Sequence, residues 1–119
     1  MSIKLYITGG TIDKVYNQSN GELEFNQTHF PEMLSRARIE VEIKTEILLF
    51  KDSLYMDDDD RELILKSCVE CEEERILITH GTDTMCETAK LLGANLKNKI
   101  VVLFGSMIPY TVSNSDALF

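Results

Sequence analysis

Short apolar runs alternate along the chain with longer amphipathic ones. Ile3-Lys4-Leu5-Tyr6-Ile7 has a period of two and ends at Thr8-Gly9-Gly10-Thr11, which predicts a first strand that delivers a glycine pair into a loop. Between Lys14 and Phe25, two short runs flank Asn20-Gly21, the strongest short-range hairpin signal, so a β-hairpin or ordered flap is expected there. A short helix is expected around Phe30 to Ala37. Strict alternation over Ile39 to Ile43, continued by Ile47-Leu48-Leu49-Phe50, predicts strand material leading into Lys51-Asp52-Ser53.

The period then changes. Leu63, Ile64, Cys68 and Cys71 recur at three- and four-residue spacing and predict a helix over Asp57 to Cys71, opened by an aspartate run that the helix dipole favours. Arg75 to Thr79 is a short apolar strand, His80 to Thr84 a turn, and Met85 to Leu96 a second helix. Thr84 with Glu87 reads as its capping box. Ile100 to Phe104 predicts a further strand, ended by Gly105. Ser113 to Asp116 reads as a helix start, with Ala117, Leu118 and Phe119 as its first apolar residues.

Strands separated by helices pair in parallel through right-handed crossovers. The expected fold class is therefore α/β: three layers, a mainly parallel sheet with helices on both faces, plus an N-terminal β-hairpin flap. Ligands of such sheets gather at the carboxyl ends of the strands. Here those ends carry Thr8 to Thr11, Asp52-Ser53, His80 to Thr84 and Gly105-Ser106, so the polar and glycine-rich segments converge on one edge.

Composition narrows the partners. A chain of 119 residues with 44% hydrophobic and 27% charged residues fits one folded domain. Twelve basic against twenty acidic residues give a net charge of -8, so neither nucleic acid nor an anionic membrane is an expected partner. No apolar stretch reaches the roughly 18 residues of a membrane helix, and Met1 to Ile7 is too short and mixed for a secretory signal. The cytoplasm is the expected compartment, in agreement with an odd number of cysteines, 3, which argues against a disulfide framework.

Most chemistry-bearing residue types have plain explanations. Cys68-Val-Glu-Cys71 lacks a second pair at zinc-site spacing and fits the apolar face of a helix, the Asp57 to Asp60 run lacks the glycine and closing glutamate of a calcium loop, and no metal is assigned. His29 and His80 fall on separate loops, where surface or turn roles suffice. Gly9-Gly10 matches neither dinucleotide nor phosphate-loop spacing, but it lets the backbone approach a ligand closely. Thr82-Asp83 sets a hydroxyl beside a carboxylate at a helix N-terminus.

Taken together, Ile7-Thr8-Gly9-Gly10-Thr11-Ile12 and Thr79-His80-Gly81-Thr82-Asp83-Thr84-Met85 resemble the bacterial type L-asparaginase family. The similarity also takes in Ser53 with Met56-Asp57, Gly105-Ser106-Met107-Ile108-Pro109, and Ser115-Asp116. It matches only the family's N-terminal, catalytic domain, so residues 1–119 are expected to be that domain without its C-terminal part. The resemblance implies hydrolysis of a side-chain amide, asparagine to aspartate plus ammonia, with no cofactor. Thr11 is then the nucleophile, and Thr82 and Asp83 belong to a Thr-Lys-Asp triad. Gly10, Ser53, Thr82 and Asp83 hold the amino-acid amide, Tyr16 is the flap candidate, and the protein is expected to be a homo-oligomer.

Departures from the family accompany the match. Leu54-Tyr55 stand where the family has a polar pair, Glu22 follows Gly21 where the family has its flap tyrosine, and no lysine here occupies the triad motif. Two alternatives therefore stand beside the amidohydrolase: a non-catalytic amino-acid-binding domain on the same scaffold, and an interaction module built on it.

Overall fold

A computed structural model describes residues 1–118. At its centre lies β1 (Ser2–Gly9), the alternating run at the start of the chain, which pairs in parallel on both sides. The 3-10 turn Thr11–Asp13 follows, then β2 (Lys14–Tyr16) and β3 (Leu23–Phe25), the antiparallel hairpin that Asn20-Gly21 predicts. Next come α1 (Phe30–Arg36), β4 (Glu42–Lys51), a 3-10 turn Ser53–Tyr55, α2 (Asp58–Glu70), β5 (Arg75–Thr79), α3 (Met85–Asn95) and β6 (Ile100–Phe104). The described chain ends in a 3-10 turn, Asp116–Leu118, at the expected helix start; Phe119 lies outside the described residues.

The four parallel strands stand in the order β4-β1-β5-β6. Alternation along β1 sends Tyr6 to one face and Leu5 and Ile7 to the other. Tyr6, Ile76 and Ile78 pack against Ile64 and Cys68 of α2 and Leu92 of α3. Leu5 and Ile7 pack against Ile12 and Phe30, with Met33 and Leu34 of α1 beside them. Helices thus cover both faces, the three-layer arrangement that the sequence predicts.

Two local expectations change. Ile39 and Val41 are exposed and precede β4, because Arg38 takes a left-handed φ of 53° and turns the chain before the sheet begins. The capping box sits on α2 instead of α3. Asp57 Oδ1 accepts from the Asp60 amide at 2.9 Å, and Asp60 Oδ2 accepts from the Asp57 amide at 3.1 Å. Thr84 caps nothing with its side chain, since its hydroxyl is taken by distant partners.

The chain passes from β1 to β4 on one side and from β4 across β1 to β5 on the other, so the strand order reverses between β1 and β5. Crevices form at such reversals, at the carboxyl ends of the strands.

Candidate active site

At that reversal the two glycine-containing loops touch. Gly9 and Gly10 take left-handed φ values of 106° and 85°, which glycine adopts without a steric penalty. A Cβ on Gly10 would stand 2.7 Å from the Gly81 nitrogen, and one on Gly81 would stand 2.8 Å from Ser53 Oγ. Backbone therefore lies on backbone from β1 through β5 to the Ser53 turn. The strand ends are also stitched together, with Thr8 N–H donating to Thr79 Oγ1 at 3.1 Å and the Thr8 hydroxyl donating to the Thr79 carbonyl.

Thr11 is half-buried at the start of its 3-10 turn. The turn is anchored by Asp13, fully buried, which accepts from the Thr28 hydroxyl at 2.9 Å and the His29 amide at 2.8 Å. Burial raises the Asp13 pKa, and these two hydrogen bonds oppose the rise. The segment that carries Thr11 is so fixed to the start of α1.

Ser53 is fully buried beneath Gly81, with its Oγ accepting from the Thr84 amide at 3.0 Å and its carbonyl accepting from the Thr84 hydroxyl at 2.8 Å. Thr82 and Asp83, between Gly81 and Thr84, are exposed. The Thr82 hydroxyl faces Met107 Sδ at 3.8 Å, and Asp116 holds that neighbouring loop by accepting from the Met107 and Ile108 amides, each at 3.0 Å. Those two bonds lower the Asp116 pKa. The structure brings Gly10, Ser53, Thr82 and Asp83 together on the edge where Thr11 begins its turn.

Tyr16 stands apart, exposed on β2. The hairpin that bears it is tied to the Ser53 turn by Lys14, whose Nζ lies 2.6 Å from Asp52 Oδ2 and 5.5 Å from the centre of the Phe25 ring. Phe25 in turn stacks on Phe50 of β4.

The family signature described as Asparaginase, N-terminal, matches residues 2–119. The chain belongs to this asparaginase family. An L-asparaginase of Thermococcus kodakarensis is 32% identical over 122 residues, covering 98% of this chain and 37% of that protein. A probable periplasmic L-asparaginase of Haemophilus influenzae is also 32% identical, over 126 residues, covering 97% of this chain and 35% of that protein. Among solved structures, the Thermococcus kodakarensis enzyme superposes with a TM-score of 0.83 at 33% identity, over 99% of this chain and 38% of that one. A probable cytoplasmic L-asparaginase from Campylobacter jejuni does so with a TM-score of 0.77 at 31% identity, over 98% of this chain and 38% of that one. The chain thus spans little more than a third of the length of these asparaginases. Among the described residues, no helix is long and apolar enough to cross a membrane.

Behind this edge lies a buried polar cluster that the sequence pattern does not disclose. His80, read from sequence as a turn or surface residue, has no solvent exposure. Its Nδ1 lies 2.7 Å from the Gly81 carbonyl, which can only accept, so Nδ1 carries the proton and Nε2 accepts from the Thr88 hydroxyl at 2.8 Å. Arg61 of α2 donates to Thr88 Oγ1 at 3.2 Å and to Thr84 Oγ1 at 2.9 Å. Burial and the Arg61 charge lower the His80 pKa, against the hydrogen bond to Gly81. The one hint in the sequence is that Arg61 stands three and seven residues before Ile64 and Cys68, on the apolar face of its helix.

Proposed function

We propose that this protein is an amidohydrolase that converts L-asparagine, or a related small amino-acid amide, to the acid and ammonia. The observation that carries the proposal is the contact of Gly10 with Gly81, which joins the two motif-bearing loops where the strand order reverses. Thr11 Oγ attacks the side-chain amide carbon, the carbon–nitrogen bond breaks, and ammonia leaves. Water then attacks the resulting ester and frees the acid and the threonine. A neutral hydroxyl needs a neighbouring base or a strong field for this, the role given to Thr82 and Asp83. Gly10, Ser53, Thr82 and Asp83 form the substrate cradle, with Tyr16 on the hairpin as flap candidate. The chemistry calls for no cofactor.

Residues 1–119 act in this proposal as the N-terminal α/β domain of the catalytic unit, and the triad lysine comes from outside them. The extent of the matched relatives supports this, since 35–38% of their length is covered. The protein works as a homo-oligomer in the cytoplasm; the free state of Cys68, Cys71 and Cys86 is in keeping with a reducing compartment. A second reading, a non-catalytic amino-acid-binding domain, is favoured by one observation: among the described residues no cation pairs with Asp83.

Ammonia release from L-asparagine, L-glutamine and small amides, measured on the protein expressed from its whole reading frame, separates the two. Thr11→Ala is expected to abolish release while the far-ultraviolet spectrum stays native. Unchanged release from that variant would sink the threonine assignment. Saturable aspartate binding by wild-type protein without any turnover would favour the binding domain.

A further inference from the structure

We propose that Arg61 is a positioning residue of the candidate active site, holding the Thr82–Asp83 turn by both of its ends. The assignment rests on the amidohydrolase reading above and deepens it.

Thr82 and Asp83 are flanked by Gly81 and Thr84, and both flanks lead to one guanidinium. On the far side, Arg61 donates from Nη2 to Thr84 Oγ1 at 2.9 Å, and that hydroxyl donates to the Ser53 carbonyl at 2.8 Å. On the near side, Arg61 donates from Nε to Thr88 Oγ1 at 3.2 Å, Thr88 donates to His80 Nε2 at 2.8 Å, and His80 Nδ1 donates to the Gly81 carbonyl at 2.7 Å. The remaining nitrogen, Nη1, donates to the Met56 carbonyl at 3.3 Å, just beyond the Ser53 turn. Each nitrogen of the guanidinium thereby has an acceptor, on Thr88, Thr84 or Met56, and Nη2 also faces the Glu87 carboxylate.

The position of Arg61 argues against packing alone as its purpose. With Ile64 and Cys68 it makes up the buried residues of α2, so it occupies a core position that an apolar side chain would fill without desolvating a charge. Its carboxylate partner, Glu87 at 3.3 Å, has a side chain that is 66% exposed and offsets little of that desolvation. What the cation provides is a rigid, planar fork whose donors diverge toward two hydroxyls at once. A lysine ammonium offers a compact point of charge that cannot reproduce this geometry. Exposed turns drift unless something behind them is fixed, and Thr82-Asp83 is such a turn with a buried clamp at each end.

The test uses the protein from its whole reading frame, with kcat and KM for asparagine hydrolysis, the calorimetric affinity for L-aspartate, and the unfolding temperature measured in parallel. Arg61→Met is expected to lower kcat/KM on the order of 100-fold at temperatures well below its own unfolding, the loss that a misplaced reacting group brings. Arg61→Lys is expected to recover part of it. Thr84→Val is expected to lose activity in the same way, Thr84→Ser to restore most of it, and the Arg61→Met/Thr84→Val pair to lose less than the two single losses combined. Should Arg61→Met fail to fold, the Thr84 pair carries the test alone. A lower unfolding temperature with wild-type kcat and KM in Arg61→Met and Thr84→Val overturns the positioning role and leaves the proposed function standing. Wild-type protein that neither hydrolyses asparagine nor binds aspartate overturns both. If wild type binds aspartate without turnover, affinity replaces kcat/KM: a roughly tenfold loss in Arg61→Met upholds the clamp, and an unchanged affinity overturns it.

Discussion

His80 shows how far a residue's surroundings can depart from its place in the sequence. A histidine in a turn is ordinarily wet, yet this one is fully buried and keeps its ring neutral to satisfy Thr88 and Gly81 together. Its pKa falls below the usual 6.5, chiefly through burial. The unfolded chain therefore takes up a proton as pH drops through about 6.5 before the folded chain does, and stability declines with falling pH until the folded ring also protonates. We expect the unfolding temperature to be level near neutrality and to fall as pH drops below about 6.5, less steeply in His80→Gln. Equal slopes in the two proteins would place the titration elsewhere. At this scale the candidates Gly10, Ser53, Thr82 and Asp83 come from the resemblance of their motifs to the family's. The roles of His80 and Arg61 are not legible in the sequence, since the threonine hydroxyls that place them lie 8 residues from His80 and 23 and 27 residues from Arg61.

Element boundaries were legible wherever local chemistry and packing agree. β5 and β6 occupy the predicted runs, and α2 differs from its predicted span only in that Asp57 and Cys71 serve as its caps. α3 starts at Met85 as predicted, but its capping box does not form, because a tertiary partner outbids the local one: Ser53 and Arg61 claim the Thr84 hydroxyl. The capping box that does form lies on α2, between Asp57 and Asp60. Asp57→Ala removes its half of the reciprocal bond pair and is expected to cost about 1 kcal/mol, measured by urea denaturation. Thr84→Ala tests a tertiary contact instead, and its cost need not follow the helix-capping scale. Asp60 also pairs with Lys51 at 2.7 Å, which ties the start of α2 to the end of β4 and lowers the Asp60 pKa against the desolvation that burial imposes.

On the scale of the molecule, β1 belongs to two cores at once, through Tyr6 on one face and Leu5 and Ile7 on the other. Ile64, fully buried between α2 and the sheet, is the side chain whose truncation tests the first of them. Ile64→Ala is expected to lose about 2–5 kcal/mol by chemical denaturation, whereas an apolar change at the half-exposed Val102 is expected to stay within about 0.5 kcal/mol. By itself the sequence determined the α/β class, the hairpin, the strand runs and the loops that carry the asparaginase motifs, because hydrophobic period and turn chemistry act over a few residues. Only the tertiary structure decided that Gly10 meets Gly81, that Ser53 is sealed beneath them, and that one buried arginine braces both ends of the Thr82–Asp83 turn. Those contacts are set by strand order and by the competition of distant partners for the same hydrogen-bonding groups, and neither is written in local spacing.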